Sequence, residues 1–327
     1  MRSTPLKTYS HLAGARRRPS AYEIVTTQLH HHVERGLAVD APGAAWFERH
    51  QRGSRWQHTE WRRFADPRET TYTKYTRLQH AKEVFCDGLL ASIDDSGYDA
   101  ALAPEARALL AAALPPLRFV LHGFQMVAAY FGHLAPEGRV TITAALQAAD
   151  EVRHIQRIAY RMAQLRRVEP GFGADSRATF ERDEAWRPLR ELVEALLVTW
   201  DWAEAFVALN LCVKPAVDEL FLIAVPALAK ARGDFLLGQI AASLDEDCQW
   251  QRQWSAALAD VALTREDNRV AAAAWVAAWR PRAERAVLAL APALSRAAGL
   301  PLDAAGALRR AADLPRALGL MPPEEAP

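Results

Sequence analysis

The sequence lacks a disulfide framework, a long apolar run and an excess of charge of one sign. Its three cysteines, Cys86, Cys212 and Cys248, are widely spaced and odd in number, so they indicate buried thiols in a reducing compartment. No uninterrupted apolar run reaches the roughly 18 residues of a membrane span, and the N-terminus has no signal-peptide core. We therefore expect a cytoplasmic protein that does not enter a membrane.

The charges nearly cancel. Forty basic and 39 acidic residues give a formal net charge of +1, which offers no general reason to expect nucleic acid or an anionic membrane as a partner. Arginines and tryptophans interleave between residues 46 and 64, but nearby acidic residues dilute that charge, so base stacking is disfavoured. What the chain does contain is helical periodicity, with almost no period-two alternation, and this predicts an all-α fold.

Prolines and turn residues divide the chain into predicted helices. These are Thr71–Leu90, Pro104–Leu114, Leu117–Leu134, Thr141–Arg167, Trp186–Ala231, Phe235–Leu263, Asn268–Ala291 and Asp303–Leu318. Pro115-Pro116 is expected to end one helix, and Pro215 and Pro226 to bend or break another. The predicted organisation is an N-terminal segment 1–67, a helical domain 68–291, and a C-terminal helix and tail 292–327.

The N-terminal segment 1–67 is rich in aromatic residues but has little helical periodicity. Trp46, Trp56 and Phe64 cannot all be buried within so irregular a segment. An extended arm that lies across a partner subunit is the favoured interpretation, and a flexible tail is the alternative. The run His30-His31-His32 does not predict a metal site, because adjacent helical positions point about 100° apart.

Glu151 and His154, in the predicted helix Thr141–Arg167, form a Glu-x-x-His pair. This spacing places a carboxylate and an imidazole on one face of a helix, about one turn apart. Ferritin-like di-iron proteins hold their metal pair with two such motifs and one further Glu from each of two other helices. The function therefore depends on whether the remaining ligands are present.

Most of the remaining ligands are missing. The helix Leu117–Leu134 should supply a Glu, but its expected inward-facing candidates are His122, Gln125 and Tyr130, and Gln125 brings no negative charge. Glu204 is a candidate in the next long helix. In the fourth ligand helix, predicted at Phe235–Leu263, Glu246 is followed three residues later by Gln249 rather than His, and an amide is a poor substitute for imidazole at iron.

The incomplete set predicts that this chain has no catalytic residue, no bound cofactor and no working metal site. The vestigial ligand candidates are Glu151, His154, Glu204 and Glu246. We expect Glu151 and His154 to be buried and hydrogen-bonded to each other or to Gln125, Glu204 or Asp247.

Several separate blocks of sequence resemble the β subunit of bacterial multicomponent di-iron monooxygenases, in the toluene and alkene monooxygenase branch. The blocks are Thr8–Leu12, Arg18–Val25, Asp66-Pro67 with Tyr72 and Tyr75, Pro116–Phe119, Gln125-Met126, Leu146–Asp150, Ala159–Arg161, Asp201–Val207, Leu209–Leu211, Lys214-Pro215 and Trp279–Pro281. They occur in the family's order from near the N-terminus to about residue 290. Such an ordered set is far more specific than one Glu-x-x-His pair.

The resemblance implies a ferritin-like, ribonucleotide-reductase-like helical bundle without a di-iron centre of its own. It implies pairing with a di-iron α subunit and a γ subunit in an (αβγ)2 hydroxylase that oxidises aromatic or alkene hydrocarbons with dioxygen. It also implies electrons from NADH through a reductase and a Rieske ferredoxin, an effector protein, and an extended N-terminal arm against α. The intact Glu151 and His154 depart from the family's β pattern, and they indicate either ancestry or a structural ion pair.

Two other interpretations remain open from the sequence. A self-sufficient di-iron enzyme would use Glu151, His154 and Glu204, but it would need a further histidine near Glu246 and an acid at Gln125. A ferritin-like binding module unrelated to oxygenation is opposed only by the family blocks.

Overall fold

The structure is a computed structural model that describes residues 20–21, 42–94 and 96–322. Helices form the whole framework of these residues. Those residues contain no β-strand, so the predicted all-α fold is confirmed. Five long helices are α1 (Tyr72–Asp94), α2 (Pro104–Leu134), α3 (Gly138–Val168), α4 (Phe235–Ala262) and α5 (Glu266–Ala298). The shorter α-helices outside residues 202–231 are Pro42–Phe47, Tyr98–Ala101, Ser176–Arg182, Arg187–Leu197, Ala304–Ala311 and Asp313–Ala317, and short π and 3-10 turns span Glu48–Arg52 and Trp61–Arg63.

Helix α2 corrects the prediction that Pro115-Pro116 ends a helix. It continues through both prolines for 31 residues, 17 of which are buried. An interior proline removes a backbone donor and costs roughly 3 kcal/mol, but burial of an apolar face over this length outweighs that cost. By length and composition α2 alone among the described helices could cross a membrane, yet most of it is buried inside the protein.

The predicted helix Trp186–Ala231 is interrupted before Pro215 and Pro226, the two prolines expected to bend or break it. Helix Arg187–Leu197 ends, and Asp201 caps the next helix by accepting hydrogen bonds from the backbone N–H of Ala203 at 2.9 Å and of Glu204 at 3.3 Å. From there the segments Trp202–Phe206, Val207–Val213, Lys214–Asp218, Glu219–Ala224 and Val225–Ala231 follow without a gap, the second and fourth being π-helical. Pro215 and Pro226 lie in the first turns after the π segments, so they mark a change of helix type rather than a break.

The contacts of the chain divide it into two compact units, residues 1–49 and residues 50–327. Residues 50–67, predicted as part of the arm, thus belong to the larger unit. Trp56 and Phe64 are both buried in that unit. These two aromatic side chains are not available to a partner subunit, and for them the arm interpretation is wrong.

Trp56 is held by polar and aromatic neighbours. Its indole N–H donates to the carbonyl oxygen of Asn268 at 3.0 Å, and its ring lies 5.9 Å from that of Phe206 and 6.1 Å from those of Trp202 and Trp275, measured between centroids. Phe64 packs edge-on against Trp254. The arm prediction stays a prediction for residues 1–41, most of which, with His30-His31-His32, lie outside the described residues.

Candidate functional site

The structure brings together two of the four vestigial ligand candidates. Glu151 and His154 are both buried on α3. Glu204 is only half-buried and accepts a hydrogen bond from the indole N–H of Trp279 at 3.0 Å. Glu246 is exposed and lies 3.5 Å from the ammonium of Lys82.

The helix expected to supply the first carboxylate, α2, also differs from the prediction. His122 is exposed rather than inward-facing, and Gln125 is half-buried. Tyr130, the third expected inward-facing residue, is half-buried too, and its hydroxyl donates to the carbonyl oxygen of Trp200 at 2.7 Å.

His154 lies between two acidic side chains. Its Nε2 is 3.2 Å from Asp247 Oδ2, which confirms one of the predicted partners. Its Nδ1 is 3.9 Å from Glu151 Oε2, too long for a hydrogen bond. Glu151 and His154 are therefore neighbours that are not hydrogen-bonded to each other.

The close partner of Glu151 is a lysine. The ammonium of Lys214 is 2.9 Å from Glu151 Oε1, 2.9 Å from Asp218 Oδ1 and 3.5 Å from Cys248 Sγ. Burial alone would lower the pKa of Lys214, but Asp218, Cys248 and Glu151 raise it well above its ordinary value. A permanent side-chain cation thus lies among the buried acids.

Asp247 accepts hydrogen bonds from three further side chains. Oδ1 accepts from Gln79 Nε2 at 2.8 Å and from Lys82 Nζ at 2.6 Å, and Oδ2 accepts from Arg153 Nη1 at 2.7 Å. Burial raises the pKa of Asp247, but His154, Lys82 and Arg153 together hold it below its ordinary range. Both carboxylate oxygens are therefore fully engaged.

Asp150, one residue before Glu151, has only neutral donors. It accepts hydrogen bonds from the Tyr75 hydroxyl at 2.8 Å, Gln79 at 2.8 Å and Gln251 at 3.0 Å. Burial, followed by the charge of Asp247, raises the pKa of Asp150 well above its ordinary value. Burial also raises the pKa of Tyr75, with Asp150 adding to it.

Arg153 supplies the second buried cation. Besides Asp247 it donates to Glu83 at 2.7 Å and to the hydroxyl of Ser243 at 2.8 Å. The next turn of α3 carries Arg157, which pairs with Glu83 and Asp87 of α1. Helix α1 buries only Cys86 and Leu90, so these polar contacts provide much of its attachment to α3, whereas Leu90 packs against Leu236, Ile240 and Leu244 of α4.

This donor set does not fit a di-iron pair. Such a site needs several free carboxylate oxygens on four helices, whereas here Lys214 and Arg153 already neutralise the acids. Within the described residues no group of three or more His, Cys, Asp or Glu side chains could hold a metal ion.

Asp150 gives a prediction for the pH dependence of stability. Because its pKa is raised in the folded state, the folded protein binds the proton more tightly than the unfolded chain does, and stability falls as pH rises from about 4 through the raised pKa. In Asp150→Asn that loss disappears, and the amide of Gln251, whose Oε1 is buried without a partner, can turn to accept from Asn. Relative to this variant, wild-type stability should fall by up to about 1.4 kcal/mol per pH unit across that window.

Urea unfolding at a series of pH values measures this difference. Asp260→Asn, at an exposed position on α4, is the matched control and should change the free energy of unfolding by less than about 0.5 kcal/mol. A difference between wild type and Asp150→Asn that stays the same at every pH would contradict the prediction.

Comparison with known proteins places the chain in a family. The family model for methane, phenol and alkene hydroxylases matches residues 43–266. The β subunit of the toluene-4-monooxygenase hydroxylase component from Ectopseudomonas mendocina is 33% identical over 298 residues, which cover 89% of this chain and 91% of that one. The small subunit of the propane 2-monooxygenase hydroxylase component from Rhodococcus jostii (strain RHA1) is 25% identical over 334 residues, covering 97% of this chain and 89% of the relative.

Solved structures agree with these relatives. A structure of toluene 4-monooxygenase with toluene bound in its resting active site matches with a TM-score of 0.77 and 32% identity, over 90% of this chain and 99% of that chain. A xenon-pressurised phenol hydroxylase from Pseudomonas sp. OX1 shares the fold, with a TM-score of 0.76 and 20% identity over 95% of this chain and 93% of that chain. The predicted ferritin-like hydroxylase fold is confirmed, and the chain belongs to the methane, phenol and alkene hydroxylase family.

Proposed function

We propose that this chain is a non-catalytic β subunit of a multicomponent hydroxylase that oxidises aromatic or alkene hydrocarbons with dioxygen. The observation that carries the proposal is the ammonium of Lys214, 2.9 Å from both Glu151 and Asp218. Two metal ions would have to displace this cation and detach Asp247 from Arg153. The cluster is better suited to hold together α3, α4 and the segment that carries Lys214 than to bind iron.

The proposed partners follow from membership in the family. The chain would pair with a di-iron α subunit and a γ subunit in an (αβγ)2 complex, served by an effector protein, a Rieske ferredoxin and an NADH-dependent reductase. Its three cysteines are free and buried, which suits the cytoplasm. The alternative, a self-sufficient di-iron enzyme, is not favoured, because Glu204 is bonded to Trp279 rather than to the Glu151 cluster.

Iron content and assembly together test the proposal. We expect the separately purified chain to bind substoichiometric iron after anaerobic addition of ferrous ion, and to form a larger complex on size-exclusion chromatography once its α subunit is added. His154→Ala serves as the control for the iron measurement, because any adventitious iron should be unchanged in it. A metal pair bound per isolated chain and lost in His154→Ala would overturn the proposal, as would absence of the complex with α.

A further inference from the structure

Lys214 lies at a point where four helical elements of the bundle converge. Its contacts Glu151 and Cys248 come from α3 and α4, and Asp218 lies one turn further along its own segment, on the same side of the helix. Leu121 of α2 lines the same small void as Asp218. Ferritin-like metal sites are built where side chains of four helices face inward, so the ammonium of Lys214 occupies the same kind of position as a metal ion does in such proteins.

The side chains around the ammonium are those of a metal cage. Lys214 Nζ lies 2.9 Å from Glu151 Oε1, 2.9 Å from Asp218 Oδ1 and 3.5 Å from Cys248 Sγ. All three side chains are buried, and apart from the ion pair neither carboxylate oxygen of Glu151 has a hydrogen-bond partner. Carboxylate oxygens and a cysteine sulfur are ligands that Zn²⁺ accepts, so the cage lacks only the ion.

His154 lies at the edge of this cage in the orientation of a metal-binding histidine. Its Nε2 is held by Asp247 Oδ2 at 3.2 Å, and its Nδ1 lies 3.9 Å from Glu151 Oε2. A carboxylate on one ring nitrogen is the usual device that orients the other nitrogen towards a metal. His154 and Asp218 also line one void of about 10 Å³, which is about the space that one water molecule needs. An imidazole or a water is therefore at hand as a further ligand.

Distances explain why the cage holds an ammonium and not an ion. Zinc binds carboxylate oxygen and cysteine sulfur at roughly 2.0 to 2.3 Å. The donors around Lys214 stand about 1 Å farther out, at hydrogen-bond distance from an ammonium. This spread agrees with the finding that no metal-binding group occurs among the residues that the structure describes. The lysine side chain fills the centre of the cage and also supplies its positive charge.

We propose that Lys214 is a built-in substitute for a metal ion, and that its removal leaves a site for one divalent cation bound by Glu151, Asp218 and Cys248. One divalent ion balances the two carboxylates that the ammonium now holds, and the thiol loses its proton when the ion binds. Because the lysine is part of the chain, the core of this subunit folds without a supply of iron. The inference goes beyond the proposed function, since it concerns this chain alone and requires no partner subunit.

Cobalt titration of Lys214→Ala tests the proposal, because alanine removes both the charge and the volume of the lysine. The variant should bind one Co²⁺ per chain about 100-fold more tightly than wild type does. A sulfur-to-cobalt charge-transfer band in the near ultraviolet should appear in the variant and not in wild type. Co²⁺ should also raise the thermal unfolding midpoint of the variant and leave that of wild type unchanged.

Two further variants show where the ion binds. Lys230→Ala removes an exposed lysine outside the cage, and it should bind Co²⁺ no more tightly than wild type does. Cys248→Ser added to Lys214→Ala should abolish the charge-transfer band and weaken Co²⁺ binding, because it replaces the sulfur ligand by a hydroxyl group.

The outcomes separate this inference from the proposed function. A Lys214→Ala chain that is unfolded alone and folds when Co²⁺ is added supports the inference, as does a folded chain that binds one ion. A variant that binds no Co²⁺, folded or unfolded, overturns the inference and leaves the proposed function intact. Equal affinity of wild type and Lys214→Ala overturns it too, as does a charge-transfer band that survives Cys248→Ser. A metal pair in the wild-type chain would overturn both.

Discussion

Replacement of Lys214 by Met should lower the free energy of unfolding of the isolated chain by about 3 to 5 kcal/mol. The substitution keeps most of the side-chain volume but removes the ammonium that lies 2.9 Å from Glu151 and from Asp218. Glu151, whose carboxylate oxygens accept no hydrogen bond, then loses its close cation and keeps only His154 Nδ1 at 3.9 Å, and Asp218 keeps only Arg252 at 3.8 Å. Urea unfolding followed by circular dichroism measures the loss.

The matched control is Lys230→Met, at an exposed position near the end of the segment 202–231, where a change within about 0.5 kcal/mol is expected. Glu151→Gln added to Lys214→Met should recover part of the loss, because it removes one of the two stranded acids and the effects of contacting residues are not additive. A decrease of less than about 1 kcal/mol in the free energy of unfolding of Lys214→Met alone would contradict the view that this lysine neutralises the buried Glu151 and Asp218.

The cluster also explains an unusual pattern of α3, whose charged side chains between residues 150 and 161 are all buried. Once Glu151, Asp247 and Asp218 are buried, the cations that balance them must be buried too, and Arg153 comes from α3 itself. The charged residues therefore occupy the inner positions of α3 and leave its outer positions apolar. The same arrangement that satisfies the interior leaves the exposed positions of α3 between residues 142 and 163 without charge.

Long-range packing decided where the sequence-based helix boundaries held and where they failed. The helix predicted at Thr141–Arg167 appears as Gly138–Val168, because its turns on both sides carry clear breakers. Pro115-Pro116 predicted a helix end where the helix continues, because local sequence cannot reveal how much apolar surface a continuous α2 buries. For the same reason the helix predicted to end at Ala291 continues through Pro292 to Ala298.

Part of the candidate site could be predicted from the sequence. Glu151, His154 and Asp247 were singled out by spacing and by helix assignment, and they do lie together. Lys214 was named only within a family block and not as a member of the site, although a lysine in an apolar run, with Asp218 four residues later, indicates a buried ion pair. Its distance from Glu151 depends on the crossing of two helices far apart in sequence, which no local pattern encodes.

Trp56→Ala should destabilise the isolated chain by about 3 to 5 kcal/mol, because it removes a buried indole from three aromatic neighbours and strands the carbonyl oxygen of Asn268. Tyr72→Ala, which truncates an aromatic ring that is 76% exposed, is the control and should cost less than about 1 kcal/mol. The comparison also separates the two roles considered for residues 50–67. If Trp56 served a partner subunit, the stability of the isolated chain would stay near wild type and only assembly with α would weaken. Because Trp56 instead packs in the core of its own chain, we expect the unfolding midpoint of the isolated chain to fall, with assembly lost only as a consequence.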